Sequence, residues 1–436
     1  MTVCIGIATV VSAYMVPASA QSSGGAPKAT EVGVTATQIK IAVLADVDNP
    51  FVPGLFQGIV DGVQGAARYL NSKSGGGGLA GRKLIVDFID SKLNPNQARN
   101  GVITACQSDL ALVGTSALFL STVDDEVNCK DQAGANTGLP DVGAIVTGVP
   151  QSCSPVSFPV NPPQLICSTK DQHPQTYSGN QGDSKYLLKQ HKNDLHGAFL
   201  SGNDTKDALR GATVLVDTAI NAGIKSDQTV TLSGRAPQSA YTPVINKMKA
   251  DSSNFSLTTM PLDNAVELRS EAQLQGLTDP NIVWECTTCY DRKMSEHADV
   301  MNNTYLPMTY LPFEEASTNA TLANFVKYVG KTKANGFSVF GWTATLAFAQ
   351  AVNDAVKKVG VNGLTRANLL TALKGLTSFN AGGMFRTVNI GQKIPGPCFL
   401  LEQYTGGKFK RIYPTKAGTF DCAPANSVKI KADLIG

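Results

Sequence analysis

Short apolar runs alternate with amphipathic segments along most of this chain, and that alternation predicts a fold class before any motif is considered. Ile39 to Leu44 reads as a strand, followed by a helix over Phe56 to Leu70 with Ile59, Val63, Ala66, Ala67 and Leu70 on one face. Leu84 to Ile89 is the next expected strand. Asn94-Pro95 starts a helix, an Asn cap with Pro in the first turn, that runs to about Asp109. Ala111 to Gly114 and Val142 to Val146 continue as strands, the pattern of a parallel, doubly wound sheet. Cys153 to Asp183 is proline-rich with little periodicity and reads as a crossing and covering loop. The rhythm resumes with strand Leu195 to Leu200 and helix Thr205 to Ala222, ended by Gly223. Thr242-Pro243 opens a helix, then strand Phe255 to Met260, helix Ala265 to Leu274 and strand Asn281 to Glu285 follow. Asn303 to Phe313 is expected to be a second crossing segment. Phe340 to Val359 is a long helix, and Thr365 caps another through Leu373. Cys398 to Gln403 and Lys408 to Tyr413 flank Tyr404-Thr-Gly-Gly407 as a hairpin. Two α/β halves, each interrupting the other, imply two lobes joined by crossing strands. A cleft is then expected between the carboxyl ends of strands in both sheets, where ligands of open α/β folds bind.

At 436 residues the chain is long enough for two lobes, each with its own core. A net charge of +3 without a basic block gives no reason to expect nucleic acid or an anionic membrane surface as a partner. Ile5 to Val16 has the length of a signal-peptide apolar run, too short to span a bilayer, and Pro17-Ala18-Ser19-Ala20 offers the small residues of a cleavage site before Gln21. No Lys or Arg precedes the run, so a start upstream of Met1 is one expectation. Residues 21–32 read as a flexible leader. Of nine cysteines, eight remain once Cys4 leaves with the signal, an even number that implies disulfides in an exported chain. Sequence alone does not fix their connectivity. Clustering favours Cys106 with Cys129, Cys153 with Cys167, Cys286 with Cys289, and Cys398 with Cys422. Cys286-Thr-Thr-Cys289 follows a strand rather than opening a helix, which favours a structural bridge over a redox pair.

The chemistry-bearing motifs argue mostly by what they fail to be. Gly76, Gly78 and Gly81 satisfy G-x-G-x-x-G, but a helix precedes them and a strand follows, the reverse of what a pyrophosphate site needs. Gly81 is followed by Arg82-Lys83, which also misses the phosphate-cradling loop. An α-to-β turn is the plain reading. His191 and His196 are five apart, and no H-E-x-x-H or G-x-S-x-G occurs. Neither an enzyme, a metal nor a cofactor is expected. The sequons at Asn203, Asn254, Asn302 and Asn319 are taken as chance.

Gly33-Val-Thr-Ala-Thr-Gln-Ile-Lys-Ile-Ala-Val-Leu44 resembles the opening of type I periplasmic binding proteins, as does Asn71…Gly-Gly-Leu-Ala-Gly81-Arg-Lys-Leu…Asp90…Asn94-Pro…Ala98. Gly341-Trp-Thr-Ala-Thr-Leu-Ala-Phe-Ala-Gln-Ala351 and Gly382-Gly-Met-Phe385 fit the same family, so the likeness covers about Val32 to Thr419. Among its branches, the branched-chain amino-acid (leucine/isoleucine/valine-binding) receptors of ABC importers are the most similar. The resemblance implies an exported, periplasmic or envelope-associated receptor, a monomer, that closes two lobes on a small solute and delivers it to a membrane permease and ATPase. The implied division is 1–20 signal, 21–32 leader, 33–157 first part of lobe 1, 158–312 lobe 2, 313–385 second part of lobe 1, and 386–436 a lobe 2 tail.

The resemblance also implies a site. Thr115 and Ser116 stand where amino-acid binders hold the α-carboxylate. Glu285 is the candidate partner of the α-ammonium, with Tyr290 close by. Asp263 and Asn264 lie at the preceding strand end, and Tyr241 stands where the family places an aromatic before a helix. Phe51 and Phe119 are candidates to pack on an apolar ligand part. Blander roles stand beside these: hydroxyls after strands often cap helices, and Glu285 has the alternative of a solvated strand end. Gly114 to Ser121 is more apolar than in amino-acid binders, so aromatic or apolar acids and amides stand beside amino acids as substrates. A solute-sensing receptor of the same fold is the competing function.

Overall fold

The computed structural model describes residues 25–49, 52–162, 165, 167 and 176–431. The expected signal segment, the first residues of the leader and Phe51 lie outside the described residues. Strand β1 (Gln38–Ala45) is buried on both faces from Ile41 onward, as parallel strands covered by helices are. It pairs in parallel with β2 (Lys83–Asp90) and β3 (Ala111–Val113), and β4 (Asp141–Val142) completes a sheet of order β2-β1-β3-β4. Helix Gln57–Asn71 packs with Ile41 and Val43 on one face, and helix Pro95–Ser108 with Ala42 and Leu44 on the other. Asn94 caps the latter by accepting from the Asn96 and Gln97 amides. The glycine-rich run is the turn between helix Gln57–Asn71 and β2, as its order predicts.

Lobe 2 begins at β5 (Thr176–Asn180) and builds its sheet from β6 (His196–Gly202), β7 (Lys225–Leu232), β8 (Phe255–Thr258), β9 (Val283–Cys286) and β10 (Thr304–Met308). Antiparallel β11 (Leu400–Thr405) and β12 (Lys408–Tyr413) extend it to the order β12-β11-β10-β9-β8-β6-β7. Gly406 and Gly407 join β11 to β12 with φ of 59° and 72°, the positive values a two-residue hairpin turn requires. β13 (Ser427–Lys431) pairs with β5 as a separate antiparallel ribbon. Helix Lys206–Ala222 covers one face of the large sheet, and helices Thr242–Ala250 and Leu262–Leu274 cover the other.

After β10 the chain returns to lobe 1 as helices Ala320–Val329, Gly336–Val359 and Arg366–Lys374. The return is held by backbone-to-backbone proximity. A Cβ on Gly62 would lie 2.1 Å from the Ser338 carbonyl oxygen, and one on Gly341 would lie 2.1 Å from that of Ile59. Trp342, fully buried, stacks on Tyr69 at 5.5 Å and meets Phe325 edge-on at 5.7 Å. Arg366 adds hydrogen bonds to the carbonyls of Cys106, Asp109 and Lys130. Disulfides join Cys106 to Cys129, Cys153 to Cys167, Cys286 to Cys289, and Cys398 to Cys422. No helix among the described residues is long and apolar enough to cross a membrane.

Several expectations need correction. The strand expected over Val142 to Val146 stops at Val142, where the Ala144 and Ile145 amides both turn onto the Thr115 carbonyl. β5 lies inside the stretch read as loop, because its partner β13 is some 250 residues away and invisible to local pattern. β7 escaped notice as a half-exposed, polar edge strand. Helix Ala320–Val329 was also unforeseen, and the long helix begins at Gly336, set by the Asn335–Ser338 capping box. The described part of the leader is not free. Lys28 offers its carbonyl to Arg82, Thr30 donates to Leu364, and buried Glu31 accepts from the Gln132 and Arg366 amides. The buried Arg82 guanidinium needs acceptors, and Lys28 supplies one of them.

Gly62→Ala is expected to cost about 1–3 kcal/mol by overpacking the helix crossing, read as a lower thermal unfolding midpoint. Gly211→Ala, also inside a helix but with its nearest neighbour 3.4 Å from the new Cβ, should leave the midpoint unchanged or raise it. Equal effects at the two sites would refute the close-approach argument.

Candidate functional site

Both sheets aim their strand ends at the same space. Segments after β1, β2, β3 and β4 face those after β6, β8 and β9 across a cavity of about 550 Å³, the position open α/β sheets reserve for ligands. Leu55, Leu118 and Ile145 come to the wall from lobe 1, Met260 and Leu262 from lobe 2. Asn161, Thr309, Tyr310 and Arg386 reach it from the segments that cross between lobes. Most of the lining is apolar.

Polar groups at and behind the wall hold these loops in place. Asp46, wholly buried, accepts from the Ser91 hydroxyl at 2.6 Å and the Leu93 and Leu118 amides at 2.7 and 2.8 Å. One carboxylate thereby ties together the ends of β1, β2 and β3 and fixes two wall residues, although burial pushes its pKa up. In lobe 2, Asp204 accepts from the Ser233 hydroxyl at 2.6 Å and the Gly234 amide at 2.7 Å. Asn264 then donates to the Gly234 carbonyl and to the Tyr241 hydroxyl.

Of the charged residues lining the cavity, Asp204, Arg210 and Asp291 are bonded to protein neighbours, and two further charged features are less well supplied. Asp183 lines the cavity, and behind Asp183 the Glu285 carboxyl is buried against the Asp183 carboxyl with no other hydrogen-bonding partner. Desolvation first, and then the neighbouring acid, push Glu285 well above the usual carboxylate range. Desolvation pushes Asp183 up to about 6. The pair therefore holds a proton that two separate surface carboxylates would release. Arg386 is 4% exposed, and its Nη2 donates to Asn161 Oδ1 at 2.9 Å while its Nε has no partner. Desolvation lowers its pKa to about 10.

The structure sorts the expected site residues unevenly. Tyr290 lines the cavity, its ring packed between Phe313 and Phe409 and its hydroxyl donating to Glu314 at 2.6 Å. Glu285 stands one layer back, through Asp183. Thr115 and Ser116 are not among the residues that line the cavity. Both are fully buried; the Thr115 hydroxyl donates to Asp141 at 2.6 Å and that of Ser116 to the Gly114 carbonyl. Buried Asp141 needs donors, and Thr115 turns inward to supply one. Phe119 is half-buried away from the wall, and Asp263 is exposed on the first turn of its helix. Tyr241 and Asn264 support the Gly234 loop from behind. Asp183 and Arg386 were missed. Asp183 sits at the edge of a stretch read as loop, and Arg386 directly follows the Gly382-Gly-Met-Phe385 motif, a lone cation in an apolar setting that was its only signal.

Residues 38–400 match the sequence model of a periplasmic binding protein family. Solved structures share the fold at low identity. A fatty acid ABC transporter substrate-binding protein from Thermomonospora curvata is 15% identical, with a TM-score of 0.65 over 90% of this chain and 98% of that one. A solute-binding protein of an R. palustris ABC transporter, in complex with benzoate, is 14% identical, with a TM-score of 0.62 over 92% and 99%. A leucine-binding protein from Thermotoga maritima is 13% identical, with a TM-score of 0.60 over 86% and 97%. No curated protein matches the sequence.

The carboxyl pair gives a pH signature. Both groups titrate higher folded than unfolded, so their contribution to stability is full below about pH 4 and is lost as pH rises through about 6, where Asp183 titrates. Glu285→Gln removes one acid from the pair. Relative to that variant, the wild-type unfolding midpoint should fall between pH 4 and 7, and a pH-independent difference would disprove the shared proton.

Proposed function

The chain belongs to the periplasmic binding protein family, and we propose that it is the solute-binding receptor of an ABC importer, closing two lobes on a small, largely apolar solute. The observation that carries this reading is a cavity walled by strand-end loops of both lobes and backed by the crossing segments. A solute held there touches both lobes at once, so it binds the closed arrangement better than the open one and shifts the population by that difference. No catalytic step is needed. The receptor acts outside the cytoplasm as an exported monomer, and its partners are a permease and an ATPase.

Apolar or aromatic acids fit this wall better than α-amino acids. The hydroxyls of Thr115 and Ser116, which an α-carboxylate would require, are turned into the fold. The fatty acid and benzoate proteins among the similar structures support the same preference. The Asp183–Glu285 pair favours a second reading, an amine-bearing solute with its ammonium on Asp183.

A thermal-shift screen of protein stripped of copurified ligand by unfolding and refolding tests the reading. A specific solute at a hundred times its dissociation constant adds about 2.7 kcal/mol, a shift of several degrees. Hits among apolar or aromatic acids are expected. Hits confined to α-amino acids and lost on Asp183→Asn would select the second reading, and no shift with any class would count against both.

A further inference from the structure

We infer that Arg386 is the anion anchor of the cavity and that the solute is an apolar monocarboxylate, held by its charge where the lobes are joined. The inference rests on the receptor reading above and names the substrate class of that same site.

The other deeply buried arginines show what this protein does with a guanidinium it uses for structure. Arg82 donates to the carbonyls of Thr35, Ala80, Lys28 and Val361. Arg366 is bonded from all three of its nitrogens, and Arg411 forks onto the Glu315 carboxylate. Arg386 is as buried as these but has one side-chain partner, the neutral oxygen of Asn161. Its Nε is orphaned, and among the described residues no carboxylate compensates its charge. A desolvated, uncompensated cation is costly, and a buried donor without an acceptor adds to that cost. It is tolerable where an anion arrives to complete it. The guanidinium presents its donors in a plane, which suits the two oxygens of a carboxylate.

The surroundings narrow the anion. The wall Arg386 faces includes Leu118, Ile145, Met260, Phe337 and Phe340, so the rest of the solute is hydrocarbon. Asp183, with Glu285 behind it, lines the same cavity and opposes a second negative charge. Arg210 also lines the cavity but is paired with Asp207. The uncompensated Arg386, an apolar wall and an acidic pair fit a single carboxylate on an aliphatic or aromatic body.

The position of Arg386 connects this contact to movement. Its amide donates to the Thr309 carbonyl at 2.8 Å, and its neighbour Phe385 bridges Tyr310. Asn161, Thr309 and Arg386 thus come from three different passages of the chain between lobes. A carboxylate here completes the charge at the joint about which the lobes close, while the hydrocarbon body is enclosed by both.

Calorimetric titration of the stripped, refolded chain with octanoate and benzoate, each against its neutral amide, tests the inference. The wild type should bind an acid on the order of a hundredfold tighter than its amide, the range in which loss of one partner of a buried charge pair falls. Arg386→Met should remove that preference while leaving amide affinity nearly unchanged, and Arg386→Lys should retain part of it. Equal affinity of the wild type for acid and amide would overturn the anchor yet leave the receptor reading standing, and needs no variant to fold. Binding of neither acids nor amides would overturn the receptor reading for apolar solutes and the anchor with it.

Discussion

The close crossing of helices Gln57–Asn71 and Gly336–Val359 is the contact on which the remaining architecture depends. Gly62 and Gly341 let the two backbones approach to a distance that any side chain would block. That contact commits the segment after β10 to lobe 1, although lobe 2 has already been built between them in sequence. The chain must then cross between lobes again to reach β11. Consequently the crossing segments lie side by side, Tyr310 bridging Phe385, and form the back of the cavity. A helix contact beside the cavity therefore decides that the site has a joint behind it.

Within the cavity, electrostatics divides the work between layers. Carboxylates saturated with donors, Asp46 above all, fix the loops from behind and present apolar side chains to the solute. Two groups short of partners lie at the space itself: the Arg386 guanidinium on the wall, and Glu285 one layer back against Asp183. Buried polar groups that only support a fold are ordinarily satisfied. Glu126, Trp342 and Tyr404 are exceptions inside the fold, whereas Arg386 on the cavity wall and Glu285 behind Asp183 are exceptions at the site.

The local pattern carried most of the fold. Alternating runs and caps such as Asn94, Thr205 and Thr365 located the parallel strands and their helices, since these are set within a few residues of sequence. The misses were elements whose reason is remote: β5, paired with β13 across some 250 residues, and edge strand β7, whose polar face resembles a loop. The site was less legible. Thr115 and Ser116 follow a strand, as ligand hydroxyls do, but sequence does not say that Asp141 would draw Thr115 inward. Tyr241 and Asn264 hold the Gly234 loop from behind, a placement that depends on contacts remote in sequence.

By itself, then, the sequence determined that this is a two-lobed α/β chain, where most of its strands and helices run, and which family it resembles. These follow from periodicity and capping, which act over a turn of helix or a pair of strand positions. Only the tertiary structure decided which side chains meet the cavity. Arg386, Asp183 and Tyr290 come from segments far apart in sequence, and whether a hydroxyl or guanidinium faces ligand or fold depends on which buried partner reaches it first.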